Sequence, residues 1–314
     1  MKPIAVVFPG QGSQSVGMLK DLANEFPEIT ETYHIASNVL GYDLWELVLN
    51  GPASKLDQTD HTQPALLAGS YALWKILQKT TPLQPAFLAG HSLGEYTALV
   101  CAGAIDFTDA IDLVAKRGQY MQEAVPFGQG GLAAIIGLEN DVVAKLCKTA
   151  AEGDILSPAN FNTPGQVVIS GHLSALERAI TLAKEEGAKL AKLLPVSVPS
   201  HCILMKPAAE KLKKCLEALP IKTPQIPIVN NVDVAIYQNA DIIRDGLVRQ
   251  LYMPVRWVET IQLFADKGIK QVIECGPGKV LTGLNKRINA EMQLTHTSDL
   301  GSLHALLATS LKME

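Results

Sequence analysis

The sequence predicts an α/β protein in two lobes: a large lobe with a mainly parallel sheet covered by helices, and a small βαββαβ lobe inserted into it. Three observations carry this expectation. Apolar, strand-length runs alternate with helical stretches in both the first and the last third of the chain. Between them the order changes to strand, helix, two strands joined by a Pro-Gly turn, helix and strand. The 314 residues, 47% of them hydrophobic, are enough for one large domain or two lobes.

"IAVVF" (4–8) is a buried strand that runs into the glycine-rich turn "PGQGSQSVG". The turn lacks the Lys-Ser/Thr of a P-loop, and Ser15 stands where the G-x-G-x-x-G pattern of Gly10 and Gly12 needs glycine, so a nucleotide site is not expected. At the carboxyl end of a strand it can still serve an active site. A helix follows over 62–77 with Pro64 near its start, then a strand over 85–90, a helix over 92–105 and an amphipathic helix over 106–125. The middle gives a strand at 131–138, a helix at 141–152, strands at 155–162 and 166–171, a helix at 172–187 and a strand at 189–198. This is the ferredoxin-like order, in a unit of roughly 70 residues. The inserted lobe is assigned to 128–198 and the large lobe to 1–127 and 199–314. After it come a helix (206–219), a strand (226–232), a helix (241–255) and a strand–Gly-Pro-Gly–helix unit (269–288). The stretches 19–61, 256–268 and 289–314 receive no element.

A net charge of −4 gives no global basic field for nucleic acid. Five cysteines (101, 147, 202, 215, 275) form no C-x-x-C pair and fit a reducing compartment. The apolar run after Met1 is too short for a signal peptide, and no stretch reaches the length of a membrane span, so a soluble cytoplasmic protein is expected. No H-E-x-x-H or clustered Cys/His spacing suggests a metal, and no resident cofactor is implied.

The chemistry-bearing motif is Gly90-His91-Ser92-Leu93-Gly94, a G-x-S-x-G match. The pattern demands a serine on a sharp turn from a strand to a helix, and the flanking runs supply both, as in an α/β-hydrolase-like lobe. A serine N-cap between ordinary glycines is the alternative. A serine hydroxyl also needs a base. Of seven histidines, His91 adjoins Ser92, but neighbours on such a turn point apart. His201, at the exit of the small lobe, stands on a natural cleft wall, although a histidine satisfied by loop backbone fits the spacing too. Cys202 is a rival nucleophile with no local activating feature.

Eight ordered motifs extend this: "FPGQGSQSVGM" (8–18), "TQPALL" (62–67), "AGHSLGEYTALVCAG" (89–103), "KRGQYMQEA" (116–124), "NFNTPGQVVISG" (160–171), "VPSHCILMKPAA" (198–209), "VNNVD" (229–233) and "GPGKVLTGL" (276–284). With them the whole chain resembles the malonyl-CoA:acyl-carrier-protein transacylase family of bacterial fatty acid synthesis and, more distantly, polyketide acyltransferase domains. The resemblance implies that Ser92 attacks malonyl-CoA and that His201 is the general base, with a backbone carbonyl in the Gln250 region orienting the imidazole. It implies an oxyanion hole from the N–H groups of Gln11 and Leu93, and a clamp in which Arg117, on one helix face with Met121, grips the malonyl carboxylate. Gln63, Asn160 and Asn162 fall in cleft motifs and are assigned to substrate positioning, with loop and turn roles as the alternative. Asn231 and the Gly276-Pro277-Gly278 turn are assigned to the pocket floor. Many malonyl-selective relatives carry phenylalanine before the histidine; Ser200 here leaves space beside the acyl chain. The implied partners are malonyl-CoA and acyl carrier protein, the latter docking on local basic residues such as Lys189, Lys192, Lys286 and Arg287. Two rival readings are a serine hydrolase and a non-catalytic carrier-docking subunit. Arg117 counts against a pocket for neutral acyl chains, and the presence of Ser92 and His201 against the second.

Overall fold

The structure is a computed structural model that describes residues 3–196 and 198–310. In chain order, β1 (Ile4–Phe8) leads to α1 (Lys20–Glu25), α2 (Pro27–Leu40), α3 (Leu44–Asn50), α4 (Ala53–Leu56) and α5 (Thr59–Thr80). Then come β2 (Phe87–Gly90), α6 (Leu93–Cys101) and α7 (Phe107–Glu123). The middle holds β3 (Gly130–Ile136), α8 (Asn140–Ala151), β4 (Leu156–Thr163), β5 (Gln166–His172), α9 (Leu173–Glu185) and β6 (Leu190–Leu193). The last part holds α10 (Lys206–Ala218), β7 (Ile228–Val229), α11 (Ala240–Gln250), α12 (Trp257–Asp266), β8 (Gln271–Glu274), α13 (Val280–Ile288), β9 (Gln293–His296) and α14 (Leu300–Ser310).

The large sheet is parallel throughout, in the order β7-β2-β1-β8-β9. Its strands alternate between two cores. Val6, Phe8, Leu88 and Ile273 face the core built with α2, α5, α6 and α7. Ala5, Val7, Ala89 and Val272 face the core built with α12 and α13. Burial on both faces explains why these strands read as unbroken apolar runs. The order also brings the carboxyl ends of β1, β2 and β8 side by side.

The small sheet is antiparallel, in the order β4-β5-β3-β6, the ferredoxin-like arrangement. Ala133, Ile135, Val167 and Ile169 pack under α8 and α9. Leu132, Ala159 and Val168 form the opposite face. A seam ties this sheet to the large one. Phe161 N–H donates to Val255 O (2.9 Å), and Val255 N–H donates to Ala159 O (2.8 Å).

Several boundaries differ from the sequence expectation. The last strand of the small sheet stops at Leu193, since Pro195 has no N–H to continue the ladder with β3. The helix expected over 241–255 is α11 and ends at Gln250, ahead of Pro254, which disfavours helix at the residue before it. α6 ends at Cys101, just before Gly103 at φ 71°. α5 begins at Thr59, so Pro64 lies inside the helix rather than at its start. The strand expected over 226–232 is two residues long. The unassigned stretches contain α1 to α4, α12, β9 and α14. Signals for some of these existed: Pro27 opens α2, Gly41 at φ 75° closes it, and Asp43 caps α3 by accepting from Glu46 N–H (2.9 Å).

Candidate active site

β2 delivers Gly90 to the carboxyl edge of the parallel sheet, and α6 starts two residues after His91. Between them Ser92 is held at φ 52°, ψ −107°, a backbone conformation that non-glycine residues rarely adopt. The turn is tight enough to require glycine on both sides. A Cβ on Gly90 would fall 1.8 Å from the carbonyl carbon of Gly94, and one on Gly94 would fall 2.0 Å from Phe8 O. Asn231 staples the turn: its Oδ1 accepts from Ser92 N–H (2.7 Å) and its Nδ2 donates to Gly90 O (2.7 Å). The Ser92 hydroxyl makes no capping bond to α6. It lies 2.8 Å from His201 Nε2 instead.

His201 also has a positive φ, 62°, and is fixed by its own N–H, which donates to Leu251 O (2.9 Å). Its Nδ1 lies 2.8 Å from Gln250 O. A carbonyl can only accept, so Nδ1 carries the proton and Nε2 turns its lone pair to Ser92. Burial, and next the charge of Arg117, hold the imidazole down at about 3, so it is neutral near neutral pH. His91 is engaged elsewhere: Nε2 lies 2.9 Å from Asn162 Oδ1, and the ring packs on Trp257. Cys202 is buried, its thiol donates to Pro199 O (3.2 Å), and burial pushes that thiol up, away from thiolate chemistry.

Arg117 is 1% exposed. Its Nη1 donates to Gln63 Oε1 (2.7 Å), and its Nη2 to Gln250 Oε1 (3.0 Å) and Ser92 Oγ (3.3 Å). The guanidinium lies over the Tyr96 ring at 5.1 Å. Both side-chain acceptors besides the serine are neutral amides, and among the described residues no carboxylate is within ion-pair distance. A desolvated cation with no carboxylate in direct contact, next to Ser92, is a place for an anionic group. Lys116 beside it is exposed and pairs with Asp112 one turn back (2.6 Å).

These groups face a cavity of about 380 Å³ between the two sheets. The residues expected from the sequence line it, with two exceptions: Gln250 lies behind Ser92 and Arg117, and Asn231 and the Gly276-Pro277-Gly278 turn, expected as the pocket floor, are not part of the lining. Leu93 opens α6. The N–H groups of Gly94 and Glu95 turn back to His91 O (3.0 Å) and Ser92 O (3.1 Å), so the Leu93 N–H stays outside the helical ladder. Gln11 stands in the β1 turn with its side chain on Thr59 Oγ1 (3.4 Å). Met121 meets Gln63 Nε2 through sulfur at 3.6 Å. Ser200 lines the cavity beside His201. Asn162 spends its Oδ1 on His91, whereas Asn160 Oδ1 is buried without a partner. Leu132 and Val168 of the small sheet and Leu281 and Leu284 of α13 complete an apolar wall.

Two residues carry more than the sequence suggested. Asn231, assigned to the pocket floor, grips the serine turn itself. Glu95, not singled out at all, is fully buried beneath the site and accepts from Tyr237 OH, Gln250 Nε2 (2.9 Å) and Asn231 N–H (3.0 Å). Burial pushes its carboxyl up to about 7 against the pull of those hydrogen bonds. A lone acid inside the otherwise apolar "LGEYTALVC" was the available signal.

Comparison with known proteins agrees with this geometry. The model of the acyl transferase domain matches residues 5–301. The malonyl CoA-acyl carrier protein transacylase of Haemophilus influenzae is 56% identical over 307 residues, 98% of each chain. Among solved structures, an acyl carrier protein S-malonyltransferase from Vibrio cholerae is 57% identical with a TM-score of 0.94, over 98% of this chain and 100% of that one. A malonyl-transacylase solved in complex with a type II PKS acyl-carrier protein is 54% identical with a TM-score of 0.96, over 99% of this chain and 100% of that one. A strained serine on a histidine, beside a buried arginine, in a chain with these relatives, leads to one conclusion: the chain belongs to the acyl transferase domain family and, within it, to the malonyl CoA-acyl carrier protein transacylases.

Proposed function

We propose that the chain moves a malonyl group from malonyl-CoA to the phosphopantetheine thiol of acyl carrier protein through a malonyl-Ser92 ester, supplying fatty acid elongation. The observation that carries this reading is the Arg117 guanidinium, buried on neutral amides 3.3 Å from Ser92 Oγ. A free carboxylate one carbon beyond the reacting carbonyl is the anion such a site accommodates.

In the first half-reaction Ser92 Oγ attacks the thioester carbon as His201 Nε2 takes its proton. The oxyanion falls to the N–H groups of Leu93 and Gln11. Collapse breaks the C–S bond, and the imidazolium returns the proton to the departing sulfur of coenzyme A. In the second half-reaction His201 takes the proton of the carrier thiol. The sulfur attacks the ester, and the proton ends on Ser92. The malonyl carboxylate on Arg117 offsets the charge that depresses His201, so the substrate itself makes the base stronger. The route uses side chains and backbone amides alone. Free cysteines and coenzyme A chemistry favour a cytoplasmic setting, and among the described residues no helix is long and apolar enough to cross a membrane.

Mass spectrometry of the protein mixed with malonyl-CoA tests this. A malonyl increment should form on Ser92 without carrier and vanish when carrier protein bearing the phosphopantetheine thiol is added. Rapid loss of the acyl group to water, with no transfer to the thiol, would favour the hydrolase reading instead.

A further inference from the structure

Arg117 and Glu95 are separated by one side-chain amide. Gln250 Oε1 accepts from Arg117 Nη2 (3.0 Å), while Gln250 Nε2 donates to Glu95 Oε2 (2.9 Å) and to Ser92 O (3.0 Å). Turned the other way, the amide would set its NH₂ against the guanidinium and its oxygen against the carboxylate and the Ser92 carbonyl. The acceptor on Glu95 therefore fixes which end of Gln250 meets Arg117. The same Oε2 also accepts from Asn231 N–H (3.0 Å), and Asn231 holds Ser92 N–H. The Glu95 carboxylate thus lies one residue away from both Arg117 and Ser92, while the Glu95 backbone N–H donates to Ser92 O in the first turn of α6.

We propose that Glu95 is the positioning residue of the carboxylate clamp: through the Gln250 amide it orients Arg117, and its negative charge balances that arginine until an acyl carboxylate takes over. This rests on the malonyl-transfer reading above. Two carboxylates around one buried guanidinium repel each other, so malonyl binding should draw a proton onto Glu95. Few other charges face the carboxyl. They are Arg117 from α7, Tyr237 from the segment after β7, the Tyr96 hydroxyl on its own helix, and Arg249 of α11, which acts on Tyr237. His201 is neutral, and its position near 3 keeps it so from neutral to mildly acidic pH. With burial pushing Glu95 up to about 7, its charge is adjustable around neutral pH.

The test is the ratio of kcat/KM for malonyl-CoA to that for acetyl-CoA, measured from about pH 8.5 down to about pH 6, where the malonyl carboxyl stays ionised. Effects common to both thioesters, including coenzyme A ionisation and any general loss of activity, cancel in the ratio. In the wild type the ratio should rise as pH falls, by up to roughly tenfold, because neutral Glu95 leaves the guanidinium to the substrate. Glu95→Gln preserves the shape and most of the hydrogen bonds; its ratio should be flat and near the wild type's low-pH value. Glu95→Asp should keep the slope. A Glu95→Gln profile that tracks the wild type, or a flat wild-type ratio, would overturn the proposal; the second result decides even if the variant does not fold. If the wild type forms no malonyl ester at all, it is the parent reading that fails.

Discussion

The two sheets contribute to one cleft in different ways. The parallel sheet presents strand ends: Ser92 follows β2, Gln11 follows β1, and Asn231 follows β7. The antiparallel sheet presents a face, with Leu132 and Val168 as wall and Asn160 and Asn162 at its edge. Parallel strands all end on the same side, and the turns there expose backbone N–H groups and helix N-termini, so charge-developing chemistry collects at that edge. A face of alternating side chains has its backbone groups tied up in the ladder and can offer only shape and a few polar tips. The chemistry should therefore reside in the first sheet and its helices, and the fit in the second.

Substitutions on either side of the cleft test this division of labour. The largest effect is expected at Ser92→Ala, which should abolish the covalent malonyl adduct while circular dichroism and thermal melting stay normal. An adduct that persists would displace the nucleophile. His201→Ala should slow single-turnover acylation by about 10² or more, the scale of a positioned base; near-normal rates would turn attention to His91. Arg117→Ala truncates one side of a buried charge pair, a change of roughly 2–5 kcal/mol. The preference for malonyl-CoA over acetyl-CoA should then fall about 30-fold to several thousand-fold. Acetyl transfer should stay equal or rise, since the charge that weakens His201 has gone. Arg117→Lys should fall between, because lysine keeps the charge without the planar fork. Equal loss for both thioesters would make Arg117 a structural residue.

On the other side of the cleft the effects should be smaller and of another kind. Asn162→Ala leaves half-buried His91 without its partner across the lobes, a loss of about 0.5–1.5 kcal/mol in stability. KM should rise a few-fold while the acylation rate barely moves; a collapse of that rate would contradict the division of labour. Smallest is the carrier surface. Lys189, Lys192, Lys286 and Arg287 are all exposed, the first pair around β6 and the second at the end of α13, where Arg287 reaches Gln166 of the small sheet (3.1 Å). Charge reversal at both clusters should raise KM for the carrier at low salt and leave malonyl-CoA hydrolysis unchanged. An unmoved KM would place docking elsewhere.

How much of this was legible in the sequence differs by element. Where apolar pattern and glycine punctuation coincide, as at "FLAGHSLG", the strand, turn and helix could be read, because steric demands there are local. The inserted lobe could be read for the same reason: its six elements occur in order, and the Pro-Gly turn marks its hairpin. α1, α3 and α4 were harder to read: they are 6, 7 and 4 residues long and rest on α2 and α5 more than on a periodicity of their own, so that only caps such as Asp43 mark them. Gln250 illustrates the same limit at the site. Its backbone role came with the family resemblance, but its side chain bridging Arg117, Ser92 and Glu95 has no signature in a single sequence.

Local pattern read from the chain supplied the strand, turn and helix around Ser92, with a serine N-cap still open, and His201 as one of two readings of a loop histidine. The roles of His201 and Arg117 came from the family resemblance, since spacing alone also fits a backbone-satisfied histidine and a surface arginine. That Ser92 and His201, 109 residues apart, meet at 2.8 Å follows from the folded arrangement of the two segments. Folding likewise turns His91 to Asn162 and sets a buried acid behind Arg117 and Gln250. The physical reason is that hydrogen-bond partners and desolvation depend on distances across the fold. A one-dimensional pattern specifies which face of an element is buried, and folding alone specifies what that face meets.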